Sequence, residues 1–172
     1  TIYRSYYKPA GFIVESMELC FDLFDEHALV TNTMRIKNLD IDNSLELNGE
    51  SLELVSISID NIKLQDTQYK LNDVGLLIGK TPAEFTLSIE TKIYPQDNLQ
   101  LSGLYRSHKL FCTQCEAEGF RRITYFLDRS DVLTTYTTKI IADKKNYPVL
   151  LSNGNLIDNG MVDNERHYVV WQ

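Results

Sequence analysis

A chain of 172 residues with 43% hydrophobic and 24% charged side chains has the size of about one globular domain, able to bury roughly 70% of its unfolded surface. Its composition excludes a disordered chain, and its net charge of −7 argues against a nucleic-acid partner, because phosphate-backbone binding works through Lys and Arg displacing counterions. No uninterrupted apolar stretch reaches the ~18 residues of a membrane-spanning helix, and the N-terminal run from Thr1 to Lys8 lacks the charged-then-apolar order of a signal peptide. The expected setting is soluble and cytoplasmic, with no membrane partner. Cys20, Cys112 and Cys115 are too few for the disulfide framework of a small secreted domain, so reduced thiols are expected. The chain starts at Thr1 rather than Met and stops at Gln172 directly after the strand-like run Arg166 to Gln172, as a fragment would.

In chain order, Met17, Leu19, Phe21 and Leu23 alternate with Glu18, Cys20, Asp22 and Phe24, a two-residue period that predicts a half-buried strand. The polar break Asp25-Glu26-His27 follows. Val30, Met34 and Ile36 then alternate with Thr31, Thr33, Arg35 and Lys37, which predicts a return strand and a hairpin. The pattern recurs with Val55, Ile57 and Ile59 against Ser56, Ser58 and Asp60. It is cleanest in Phe85, Leu87, Ile89 and Ile93 against Thr86, Ser88, Glu90 and Lys92. Turn chemistry separates the strands at Asn48-Gly49, Pro82, Pro95, Pro148, Asn153-Gly154 and Asn159-Gly160. No stretch carries the 3.6-residue apolar stripe of a long helix. The expected fold is all-β, one domain over residues 1–172, with antiparallel sheets packed as a sandwich. Residues 99–130 resist a strand reading and are expected to form a long irregular segment of the kind that carries function.

Three features of that segment and its surroundings bear on chemistry. Cys112 and Cys115 form a C-x-x-C pair, which can supply half of a zinc site or a redox couple. Zinc needs further ligands, and Cys20, His27, His108 and His167 are distant in sequence, so structural thiols and no bound metal are expected. The cluster Glu116, Glu118, Arg121, Arg122, Asp128, Arg129 and Asp131 is either a solvated loop of surface ion pairs or a cleft in which a carboxylate recognises a cation such as a substrate amine. No H-E-x-x-H zinc helix and no G-x-S-x-G elbow is present, so no catalytic residue is assigned to the chain itself. Tyr3, Tyr6, Tyr7, Tyr105, Tyr125, Tyr136 and Tyr168 fit either a binding surface or core packing with a wet hydroxyl.

The run from Cys112 to Val132, C-T-Q-C-E-A-E-G-F-R-R-I-T-Y-F-L-D-R-S-D-V, closely resembles a segment of the bacterial aminopeptidase N family, zinc-dependent gluzincin exopeptidases. The resemblance continues through T-T-K-I-I-A-D-K at 137–144, Y-P-V-L-L-S-N-G-N at 147–155 and R-H-Y-V-V-W-Q at 166–172, with weaker points at Leu47-Asn48-Gly49-Glu50 and Gly103-Leu104-Tyr105. It implies a saddle-shaped N-terminal β-domain preceding a catalytic domain that this chain lacks. It also implies that Glu116 grips the α-ammonium group of a peptide substrate, with Gln114 beside it in the specificity subsite. The G-A-M-E-N motif and the zinc ligands would lie downstream of Gln172, so the implied partners are peptides with a free N-terminus and the downstream domain. The parent enzyme would use zinc, while this chain alone would bind none and be inactive. The alternative is a free-standing β-sandwich interaction module without catalytic activity.

Overall fold

The computed structural model describes residues 3–40 and 42–172. Among the described residues thirteen strands follow one another: β1 (Phe12–Leu23), β2 (Ala28–Asn38), β3 (Ser44–Asn48), β4 (Glu53–Ile59), β5 (Ile62–Lys63), β6 (Tyr69–Asn72) and β7 (Gly75–Lys80) come first. After them lie β8 (Glu84–Ile93), β9 (Gly103–Ser107), β10 (Leu110–Gln114), β11 (Thr135–Asp143), β12 (Leu156–Met161) and β13 (Arg166–Trp171). The helical content among the described residues is confined to short 3-10 turns at Arg4–Tyr6 and Phe120–Arg122.

Eight strands form one sheet in the order β12-β13-β11-β1-β2-β8-β4-β5, beside a three-stranded sheet β3-β7-β6 and the two-stranded hairpin β9-β10. The predicted β1–β2 hairpin is present, with Met17 opposite Met34 and Phe21 opposite Val30. Alternation creates the buried face. Met34, Ile36, Leu87 and Ile89 are 0% exposed, and burying each such side chain is worth about 1.5–3 kcal/mol. Leu45 and Leu47 of β3 and Leu76 and Ile78 of β7 belong to the same buried cluster, so the small sheet covers part of the large one. At the other end β12 and β13 have no fully buried residue.

Several expectations need correction. The sheets are antiparallel except for one pair: β1 and β11 run parallel, with Ser16 opposite Thr135 and Asp22 opposite Ile141. Parallel pairing requires a long crossover connection, which the residues between β8 and β11 supply. In β4, Val55 is 44% exposed whereas Ile57 is 2% exposed, because a register shift between Leu54 and Ser56 inserts one residue and reverses the parity of the strand. Leu54 packs against the core in its place. A similar shift between Val14 and Ser16 lets β1 begin at Phe12, outside the simple alternation. Asn159-Gly160 is no turn. Gly160 lies within β12, where a Cβ would meet the Tyr168 ring at 3.0 Å, so the missing side chain makes room for a cross-strand aromatic. The tyrosines divide: Tyr125 is 4% exposed, whereas Tyr3, Tyr6 and Tyr7 stand out at 57–68% and Tyr136 at 40%.

Candidate functional site

Residues 94–134, the crossover from β8 to β11, are not irregular throughout. They contain the hairpin β9–β10, turned at Ser107–Leu110 through His108 with φ 55°. Its two strands alternate poorly between buried and exposed, and its turn lacks the Asn-Gly or Asp-Gly pair that marks a tight hairpin in sequence. Arg106 tethers the hairpin to the β1–β2 turn. Its Nη1 donates to the Asp25 carbonyl at 3.1 Å, and its guanidinium lies 5.6 Å from the centre of the Phe111 ring. Phe111 in turn packs on Tyr147, ring centres 5.1 Å apart.

Between the hairpin and the large sheet lies a trough of about 850 Å³, within the size range of small-molecule sites. Met17, Leu19 and Phe21 of β1 and Ile140 of β11 line it, as do Leu150 and Leu151. Gln114, Cys115 and Glu116, at the end of β10, line it as well. The structure therefore brings the sequence-predicted pair Gln114 and Glu116 together at an apolar hollow. Both are exposed, and Gln114 Nε2 donates to the Glu116 carbonyl at 3.3 Å. The peptide bond joining Glu116 to Ala117 is cis.

The turn that follows is closed by backbone. Gly119 N–H donates to the Cys115 carbonyl at 2.7 Å. A Cβ on Gly119 would meet the Gln114 carbonyl oxygen at 2.4 Å, so glycine is required by the close approach of two backbone segments. Behind the turn, Arg121 is the hub of a charge network: its Nε donates to Asp128 Oδ2 at 2.9 Å, its Nη2 to the Asp128 carbonyl at 3.0 Å, and its Nη1 sits 3.4 Å from Glu118. Arg122 Nη2 donates to Glu50 Oε2 at 2.5 Å, and Glu50 N–H donates to the Arg121 carbonyl at 2.9 Å. Arg121 and Asp128 are only 14% and 12% exposed, so this pair is not the solvated surface contact that the bland reading of the cluster expects.

The acidic residues of the cluster thus differ in occupation. Glu50, Glu118 and Asp128 are engaged by Arg121 or Arg122, and Asp131 by Arg129 at 2.7 Å. Arg129 and the Tyr7 hydroxyl hold the Asp131 carboxyl below its usual range. Among the described residues no ion pair or hydrogen bond engages the Glu116 carboxylate. Chemically, the arrangement offers an acceptor for a cation on a braced turn beside an apolar hollow.

Cys112 and Cys115 are free and half-buried. Burial, with a smaller contribution from the Asp128 charge, pushes the Cys115 thiol up, the opposite of an activated nucleophile. Among the described residues no group of three His, Cys, Asp or Glu side chains could hold a metal ion. The histidines are spread out: His27 stacks on Phe24 at 4.8 Å, His108 lies in the hairpin turn, and His167 Nε2 is 2.8 Å from the Tyr147 carbonyl.

Sequence reasoning missed Asn32, Asn48, Glu50 and Thr91, all of which hold the 121–128 segment. Asn48 exchanges backbone hydrogen bonds with Phe126 at 2.8 and 3.1 Å and accepts from Asp128 N–H through its Oδ1 at 3.2 Å. Thr91 Oγ1 donates to the Ile123 carbonyl at 3.0 Å, and Asn32 Nδ2 to the Tyr125 carbonyl at 3.2 Å. A signal for the last two was present: Thr91 is the one polar residue in the inward row of β8, and Asn32 stands between Val30 and Met34 in the inward row of β2, whose other polar member, Asn38, ends the strand.

Comparison with known proteins matches residues 16–172 to the Peptidase M1 N-terminal domain. Aminopeptidase N of Escherichia coli K12 is 46% identical over 171 residues, 99% of this chain and 19% of that relative's length. A crystal structure of Legionella pneumophila aminopeptidase A in complex with aspartic acid superposes with a TM-score of 0.90 at 34% identity, over 97% of this chain and 20% of that one. An M1 zinc metallopeptidase of Deinococcus radiodurans, bound to a Tyr-Ser-Ala substrate, shares the fold with a TM-score of 0.78 at 11% identity, over 94% of this chain and 39% of that one. The chain thus spans about a fifth of its first relative, and it belongs to the Peptidase M1 N-terminal domain family.

Proposed function

We propose that this chain is the substrate-recognising N-terminal part of a zinc-dependent aminopeptidase, and that Glu116 binds the α-ammonium group of a peptide with Gln114 beside it. The observation that carries this reading is the state of the carboxylates: four acidic neighbours are held by arginines, while Glu116 is exposed at the trough without a partner among the described residues. An exopeptidase must recognise the chain end, and the α-ammonium is the charge that every free N-terminus presents. At ~4 Å and an effective dielectric of about 20, the gross attraction is about 4 kcal/mol, part of which desolvation offsets. In this reading the zinc ligands, the catalytic base and the reaction itself belong to the part of the relatives' length that this chain does not span.

In the full-length enzyme, Glu116→Ala is expected to lower kcat/KM by roughly a hundredfold or more while leaving the melting temperature nearly unchanged. Steady-state kinetics on aminoacyl anilides, run beside thermal melts, is the test. A well-folded Glu116→Ala enzyme of near-normal kcat/KM returns the loop to the solvated-surface reading.

A further inference from the structure

The inward rows of β2 and β8 form the centre of the core, and each has one polar side chain flanked on both sides by apolar ones; Asn38, also buried, ends β2. Asn32 and Thr91 are both 0% exposed. Asn32 pairs with Ile89 and Thr91 with Val30, so the two interruptions are diagonal neighbours on one sheet face. Both reach the same short stretch of chain: Thr91 Oγ1 donates to the Ile123 carbonyl at 3.0 Å, and Asn32 Nδ2 donates to the Tyr125 carbonyl at 3.2 Å.

Within the sheet Thr91 Oγ1 has only a longer contact, 3.4 Å to the Val30 carbonyl, against 3.0 Å to Ile123. Asn32 Oδ1 has no hydrogen-bond partner among the described residues, so the side chain carries a desolvation cost that its single bond does not fully return. The benefit falls on the stretch it touches. Residues 123–125 lie outside every strand, and their buried carbonyls need donors from elsewhere. From Ile123 the order runs back towards the trough in backbone bonds: Ile123 N–H to the Phe120 carbonyl at 2.9 Å, Arg122 N–H to Gly119 at 3.1 Å, and Gly119 N–H to Cys115 at 2.7 Å. Each bond closes three or four residues, so the turn is continuous from the core to the residue beside Glu116.

We infer that Asn32 and Thr91 are positioning residues for Glu116, fixing through the 119–125 turn the place at which its carboxylate meets the substrate ammonium. The inference rests on the proposed role of Glu116. It explains why two buried donors stand at the centre of the sheet, away from the turn that bears the carboxylate. The turn gains a fixed height above the sheet from the two donors, and the arginine network behind it restrains it laterally.

The test is a double-mutant cycle in the full-length enzyme, combining Thr91→Val and Asn32→Leu each with Glu116→Ala. Thr91→Val keeps the volume and removes the donor, and thermal melts confirm that each variant folds. In the parent background each is expected to lower kcat/KM for aminoacyl anilides by roughly tenfold, since misplacing a binding group by ~1 Å costs up to about a hundredfold. With Glu116→Ala already present, the further loss should be less than about twofold. Inhibition by a hydroxamate that lacks an amino group should be unchanged. Equal losses in both backgrounds, or weakened hydroxamate binding, mean a merely structural role and overturn the inference. Thr91→Val and Asn32→Leu enzymes of normal activity beside a damaged Glu116→Ala enzyme overturn it too, leaving the role of Glu116 intact. A normal Glu116→Ala enzyme removes both. If Asn32→Leu does not fold, Thr91→Val decides the matter alone.

Discussion

Arg121→Met separates a structural hub from a decorative surface charge. Arg121 and Asp128 are 14% and 12% exposed and 2.9 Å apart. Removing one member of such a buried pair costs ~3–5 kcal/mol, because the remaining charge is left without compensation. Asp128 retains the Arg121 backbone N–H at 3.2 Å as a donor, which places the expected loss near the lower end, at about 3 kcal/mol. For a chain of this size ~2–4 °C is lost per kcal/mol, so thermal unfolding of the 172-residue chain should occur about 6–12 °C lower. Asp128→Ala should cost less, about 1–2 kcal/mol, because Arg121 keeps Glu118 at 3.4 Å and Glu50 at 4.0 Å. The double variant Arg121→Met/Asp128→Leu should recover part of the loss, since neither charge is then stranded. Urea and thermal unfolding of the set measure all three. A loss below about 0.5 kcal/mol for Arg121→Met refutes the reasoning, because it is the behaviour of an exposed ion pair.

Other outcomes follow from local geometry. Ile57→Ala, at a site 2% exposed, should destabilise by about 2–5 kcal/mol, and Val55→Thr by less than about 0.5 kcal/mol; similar losses at both positions would contradict the register shift in β4. Gly119→Ala should damage the Gln114–Glu116 end of β10 through its clash at 2.4 Å with a backbone oxygen, and a full-length Gly119→Ala enzyme with unaltered kcat/KM would show that the turn yields freely. Burial pushes the Cys20 and Cys115 thiols up, so the folded chain keeps its protons to higher pH than the unfolded chain. Stability is then level near neutrality and falls as pH passes the unfolded thiol value of about 8.5. Urea midpoints measured up the alkaline range should show a slope that Cys20→Ser and Cys115→Ser reduce; an unchanged slope would show that the thiols are not its source.

Strict alternation made the inward rows of β1, β2 and β8 legible, because half-buried strands in a two-sided sheet leave a two-residue period in the sequence. The same rule failed at Val55, where one inserted residue reverses parity without any change in composition. It failed again at β9 and β10, whose burial does not alternate along the strand and whose turn contains no glycine. The parallel β1–β11 pair was out of reach, since register across more than a hundred residues is a property of assembly. In the candidate site, Gln114 and Glu116 were singled out by motif resemblance. The charges around Arg121 were visible, but their burial was not, because Glu50 stands 72 positions before Arg122. Asn32 and Thr91 left a trace as gaps in apolar rows, which periodicity alone cannot distinguish from tolerated polar substitutions.

The parallel pair also fixes an order of events during synthesis. β1, β2, β8, β4 and β5, together with the small sheet β3-β7-β6, all lie within the first 93 residues and pair among themselves. That part can assemble as soon as it leaves the ribosome, apart from the outer edge of β1, whose partner β11 begins at Thr135. Until then a twelve-residue strand presents a row of unpaired N–H and C=O groups, a template for adventitious strand addition. Closing that edge requires a loop of more than a hundred residues, and such distant pairing is slow. The nascent chain is therefore most prone to self-association while the residues of the trough and its turn are still being made, and slowing translation over 94–134 lengthens that exposure.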